Sequence, residues 1–230
     1  MYMLKINKNI QSEILITTME EIVPEDSLFR KVDKYIDFTF IYDEVKDLYS
    51  EDNGRPSIDP VVLFKLVFIQ ALDGIKSMRQ TCKKIKVDSE YRWFLGIPFG
   101  EDTPHFSTFS KNYERRFKDS DIFESIFINI VNQAIQYKLV EGKELYHFRK
   151  EKVERSFADS KQNHGYRYAM YRGLKKNQNY TWLICAAQNM KNIAIKKEKV
   201  NGKPLINNTI SQNLSTFIKN TRNLFLKIHA

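Results

Sequence analysis

Positive side chains gather at two places in the first half of the chain. Arg79, Lys83, Lys84 and Lys86 lie close together, with Arg92 a little further on, and Arg115, Arg116 and Lys118 form a second group. Cations at helical spacing can contact successive phosphates of a nucleic acid, and they equally suit the water-facing side of an ordinary helical bundle. A third group has a different texture. The stretch from His164 to Gly173 interleaves Tyr166, Tyr168 and Tyr171 with Arg167 and Arg172. That composition can stack on unpaired bases. As a linker it would instead cover a core between helices, which is the more usual role of such a segment.

The wider charge pattern points the same way. The 230 residues carry a net +9, yet residues 1–144 are net −4 and residues 145–230 are net +13, with only Glu151, Glu154, Asp159 and Glu198 among the acids of the second part. A block so basic attracts a polyanion, although a solvated lysine-rich tail would read alike. Composition narrows the rest. With 42% apolar residues the chain can bury a core, and 8 glycines with 6 prolines do not suit a turn-dense β-sandwich or a glycine-rich phosphate loop. Cys82 and Cys185 share no metal-binding or disulfide spacing, and His105, His147, His164 and His229 are too dispersed for a zinc set. The longest apolar run, Ile58 to Leu72, is broken by Lys65 and too short to span a bilayer. A cytoplasmic, membrane-free, mainly α protein is expected.

Helices must position these groups. Residues 1–23 read as an extended arm or short strand, and Pro24-Glu25-Asp26 reads as a helix start. A second helix is expected over Phe40 to Leu48. Asp59-Pro60 caps a third, whose apolar residues from Val61 to Leu72 surround it and place it at the centre of a helical domain. Gly74 ends it. Ser77 and Asp88 then open two short helices, the first over Met78 to Lys86 and the second reaching Leu95 and Gly96, a rhythm that suits a helix-turn-helix. Further helices are expected through Tyr113 to Phe117, over Asp119 to Tyr137, around Val153, Phe157 and Lys161, and from Leu174 to Ala194. Residues 199–208 read as a loop, and 209–228 as a last helix in a basic tail. Trp93 and Trp182 are expected in the core.

Several strings resemble the DDE transposases of bacterial insertion sequences. Pro24-Glu25-Asp26, the run from Asp52 to Pro60, Ser77-Met78-Arg79-Gln80, the run from Tyr91 to Gly96 and that from Pro104 to Phe109 are similar to the helical domain preceding their catalytic core. That likeness covers residues 12–146. A second, from Arg149 to Lys161 and on through Gln188 to Ala194, is similar to the end of the catalytic domain. The resemblance implies an N-terminal helical DNA-binding domain at 24–146, the remnant of an RNase H-like α/β domain at 147–198, and a basic tail at 199–230.

The family's chemistry is implied with it. Two aspartates and one glutamate hold two Mg²⁺ ions about 3.5–4 Å apart, one activating the attacking hydroxyl and the other stabilising the leaving oxygen. Glu154 matches the glutamate and is the one implied metal ligand, Lys161 matches the lysine that contacts the DNA end, and Arg149 and Tyr146 match the preceding motif members, with one extra residue before Glu154. Arg155, Arg167 and Arg172 are implied DNA contacts beside Arg149. The aspartates have no counterpart, because seven residues separate Tyr146 from Glu154 where the family has most of a sheet. Asp159 cannot replace them: five residues on a helix rotate it about 140° from Glu154. Glu151 is nearer in angle, but Lys150, Lys152 and Lys161 are its natural partners. The resemblance therefore implies a transposase with an internal deletion, ancestrally a DDE phosphoryl-transfer enzyme and now catalytically incomplete. Mg²⁺ would not be held stably, the partner would be DNA at terminal inverted repeats, and the chain would form homo-oligomers or mixed multimers with intact transposase. Regulation of transposition by end occupancy, or a remnant without a selected role, are the alternatives.

Overall fold

The computed structural model describes residues 16–49, 57–137, 156 and 158–200, with side chains to 197. Every regular element among them is helical. The expected arm differs from its reading where it is visible: Met19–Ile22 is a short helix, α1, held by a capping box in which Thr18 and Glu21 each bond the other's backbone N–H. The next start is also displaced. Pro24 to Asp26 form a turn, and α2 (Leu28–Tyr35) opens at Ser27, whose hydroxyl accepts from the N–H groups of Phe29 and Arg30. A serine that can bond two orphan N–H groups outweighs a proline that merely tolerates the first turn.

The middle of the chain follows its caps. After α3 (Phe40–Val45) and a single 3₁₀ turn, α4 (Pro60–Leu72) starts where Asp59 accepts from Val61 N–H at 2.7 Å. Leu63, Phe64 and every residue from Leu66 to Leu72 are buried, so α4 is surrounded as its mainly apolar run requires. Lys65 is partly buried among them. Its ammonium lies 2.7 Å from Asp33, donates to the Phe94 carbonyl at 3.0 Å and sits over the rings of Phe38 and Phe94. Helices α5 (Met78–Val87) and α6 (Ser89–Leu95) meet at Asp88, and Gly96 ends α6 in the left-handed region. Then come α7 (Ser107–Asn112), prolonged by a π turn through Phe117, and α8 (Ile122–Gln136).

The second part of the chain does not stand apart. A short helix, α9, spans residues 158–163, and α10 (Leu174–Val200) runs against α8, α2 and α4. Tyr180, Trp182, Leu183, Ile184, Met190 and Ile193 belong to the same buried cluster as Phe29, Phe64 and Phe127. Trp182 stacks on Phe127 at 4.9 Å between ring centres. Ala186, Ala187 and Ala194 are wholly buried and leave room for the neighbouring helices to close in. Cys82 and Cys185 are free thiols, and burial pushes Cys185 up to about 12. The described residues of both parts of the chain thus share one core.

Two glycines mark the seam. Gly74, after α4, and Gly165, after α9, both have positive φ, and their backbones touch: a Cβ at Gly74 would meet the Asn163 carbonyl oxygen at 2.7 Å. Beside them His164 is fully buried, with Nδ1 2.7 Å from the Ala71 carbonyl oxygen and Nε2 3.2 Å from Asp159. This histidine links α4 to α9 and is packed as a structural residue. His105 is exposed and bonds Ser107, while His147 and His229 lie outside the described residues.

Candidate nucleic-acid interface

Helix α5 separates its faces cleanly. Ser77 caps it by accepting from Gln80 N–H, and Thr81, Cys82 and Ile85 turn inward, so Arg79, Lys83, Lys84 and Lys86 are left exposed. Arg79, Lys83 and Lys86, at steps of four and three residues, fall within about 60° of one another on a helix. No acid occurs within α5. Arg79 also lies over the Phe106 ring at 4.5 Å, which holds the root of the stripe in place without removing it from water. Lys84 and Lys86 in the last turn suit the negative end of the helix dipole, so part of the charge serves the helix itself.

The other expected cations divide. Arg92 is only 3% exposed, and its guanidinium donates to the carbonyl oxygens of Pro98 and Glu101, tying down the loop after α6. It faces no phosphate; the sequence near Lys86 suggested a surface where the fold makes an interior clamp. Arg116 donates to Asn112 and covers the Tyr49 ring, whereas Arg115 is exposed. Arg167 and Arg172 are exposed on the loop between α9 and α10. Lys161 is exposed on α9, and Glu154, Arg149 and Arg155 lie outside the described residues.

Asp159, the nearest described acid to Glu154, is engaged elsewhere. It accepts from Asn163 at 2.6 Å and from Gln188 of α10 at 3.1 Å, beside His164. Burial pushes its carboxyl up, but these hydrogen bonds and the fields of His164 and Lys191 outweigh burial and hold it below the ordinary 3.8. Its charged form therefore favours the folded chain above the unfolded-state value near pH 4, and that contribution disappears as pH falls through the lower folded value. Asp159→Asn will narrow the gap in melting temperature to wild type between pH 6 and pH 3. Equal gaps at both pH values in thermal melts would contradict this.

Among the described residues no group of three His, Cys, Asp or Glu side chains comes together, and Asp159 is held by α10 rather than turned to a shared pocket. An apolar recess of about 90 Å³ lies among Phe109, Tyr113, Phe123, Tyr171 and Tyr180, and the carboxylate at its edge, Glu114, pairs with Lys176. Among the described residues no helix is long and apolar enough to cross a membrane.

Sequence reasoning missed the Gly74 to Gly165 contact and the His164 link. Gly165 directly after His164 was the available signal, but nothing in either residue names its distant partner. Comparison with known proteins then fits the two parts together. A family described as Transposase domain (DUF772) matches residues 17–115, and one described as Transposase DDE domain matches residues 111–194. No curated protein and no solved structure gives a significant match. The two matched stretches meet at the π turn after α7 and run through the whole shared core, and the chain belongs to the DDE transposases of insertion elements.

Proposed function

We propose that this transposase-family chain binds the DNA of its element's ends without cutting it. The exposed stripe of Arg79, Lys83 and Lys86 on α5, free of acids, carries the reading, and Lys84 adds charge on another exposed side of the same helix. Helices α4, α5 and α6 follow one another through tight turns, and α5 presents one face to the core and the other to solvent, as a helix lying on a duplex must. Arg115 adds to the same basic character, and Arg149, Arg155, Arg167, Arg172 and Lys161 would extend the contact from the second part of the chain.

Catalysis is incomplete in this reading because Glu154 stands alone. Seven residues between Tyr146 and Glu154 leave no room for the strands that carry the two aspartates, so Glu154 and Lys161 are vestiges of an active site that needs three converging acids. Mg²⁺ belongs to the intact family and has no complete site here. The shared core favours regulation over decay. A deleted chain whose halves pack together can occupy terminal inverted repeats, or enter mixed multimers with intact transposase, and so lower transposition.

The test uses labelled DNA carrying the element's ends, a scrambled duplex, and a salt series. End DNA will be preferred, and replacing Arg79, Lys83 and Lys86 with alanine will weaken binding to both and flatten the salt dependence by about three ions' worth. Absence of end preference sinks the binding reading. Nicking in Mg²⁺ or Mn²⁺ that disappears in Glu154→Ala would overturn the catalytic part.

A further inference from the structure

The loop between α9 and α10 uses its tyrosines in two ways. The Tyr166 hydroxyl is 2.8 Å from that of Thr181, and Tyr171 stands edge-on to Tyr180 at 5.4 Å, so these two cover the core. Tyr168, between them in sequence, is 82% exposed. Among the described residues it makes no ring contact and no hydrogen bond. Arg167 and Arg172 on either side are exposed and have no ion-pair partner among the described residues. From Ser160 to Lys197 the sequence contains no acid, and Lys176 and Lys175 pair with Glu114 and Asp119 from outside that stretch.

An exposed aromatic ring between two free guanidinium groups is suited to stacking on a base while the cations hold the flanking phosphates. In an intact duplex the base faces are covered by their neighbours, so the ring can act only where bases are unpaired. Location strengthens the assignment. Gly165, which precedes Tyr168 by three residues, touches Gly74, which precedes the α5 cap Ser77 by three. Three residues span at most about 10 Å of chain, so Tyr168 and the start of the basic α5 stripe are rooted at one point. We infer that the Arg167, Tyr168 and Arg172 loop is a binding site for an unpaired DNA strand adjoining the duplex held by α5. This deepens the proposed function and rests on it for the duplex arm only.

The experiment measures fluorescence anisotropy of the full chain with two labelled DNAs: a blunt duplex and the same duplex carrying a six-nucleotide single-stranded overhang. The readout is the ratio of the two affinities. Wild type will favour the overhang by about tenfold, within the range for one base on one aromatic ring. Tyr168→Ala will bring the ratio near one, and Tyr168→Phe, which keeps the ring, will preserve it. Thermal melts confirm that the variants fold, as expected for so exposed a residue. A wild-type ratio near one, or a ratio unchanged in Tyr168→Ala, overturns the inference while leaving duplex binding intact. Conversely, Tyr168-dependent binding of the overhang DNA without any preference for element ends would support the loop and remove the end-binding reading.

Discussion

A chain ended at Gly173 will be recovered unfolded or aggregated, with little cooperative melting, even though it keeps every helix from α1 to α9. The expectation follows from what α10 buries. Its Tyr180, Trp182, Leu183, Ile184, Met190 and Ile193 are each at most 3% exposed and lie in the cluster that also holds α2, α4 and α8. Full burial of a large apolar side chain contributes about 1.5–3 kcal/mol, so six of them contribute about 9–18 kcal/mol, as much as the roughly 5–15 kcal/mol of net stability of a typical domain. Removing α10 would also expose Phe127, which stacks on Trp182, and Val67 and Phe123 near Leu183. A milder version separates packing from chain length. Ala187→Arg leaves all residues in place but puts a charge where exposure is zero, and it too will abolish cooperative unfolding by circular dichroism. A soluble truncated chain melting within a few degrees of the full one would show that the N-terminal helices form an independent core.

That dependence is the part of the fold least visible in the residues themselves. Asp59, Ser77, Asp88 and Gly96 could be read directly, because a cap works on N–H or C=O groups two or three residues away. Thr18 and Ser27 act by the same local rule; they were hidden by the reading of residues 1–23 as an arm or strand and by the attraction of Pro24 as a start. The helical nature of α10 was legible from Leu183, Ala187, Met190 and Ala194, yet periodicity says only that a face is buried and not against what. Since that helix is buried on several sides, it had to be central to something, and the something lay more than a hundred residues upstream in α2 and α4.

The basic residues show the same limit in another form. Charge is a property of the residue, but exposure is a property of the fold. Arg79, Lys83, Lys84 and Lys86 face water because Thr81, Cys82 and Ile85 between them turn inward, a pattern present in the sequence. Arg92 carries an identical charge a short way on and is enclosed, since the loop from Pro98 to Glu101 returns over it and offers carbonyl oxygens. No spacing rule announces that return. Asp159 is the acidic counterpart: helical geometry separated it from Glu154, and its actual engagement with Gln188 depended on where α10 packs.

The seam between the two parts of the chain gives the sharpest remaining test. Gly74→Ala will destabilise the protein by clearly more than Gly96→Ala, although both glycines have nearly the same backbone, φ 60° and 68°. Left-handed backbone costs a residue with a Cβ about 1–2 kcal/mol, and this cost is common to both variants. At Gly96 nothing lies within 4 Å of the added carbon, so the common cost is the whole effect. At Gly74 the carbon would sit 2.7 Å from the Asn163 carbonyl oxygen and 3.2 Å from the Gly165 nitrogen, both backbone atoms that cannot rotate away. The turn carrying Gly165 must then move off α4. Movement there would stretch the 2.7 Å contact of His164 with the Ala71 carbonyl and leave a buried imidazole without that partner. A loss of about 1–2 kcal/mol for Gly96→Ala corresponds to a melting temperature lower by roughly 2–8 °C at this chain length. The fall for Gly74→Ala will be at least twice that of Gly96→Ala. Equal falls in the two variants would mean that the turn after α9 is not seated on α4, and the joined halves would then be held together by α10 alone.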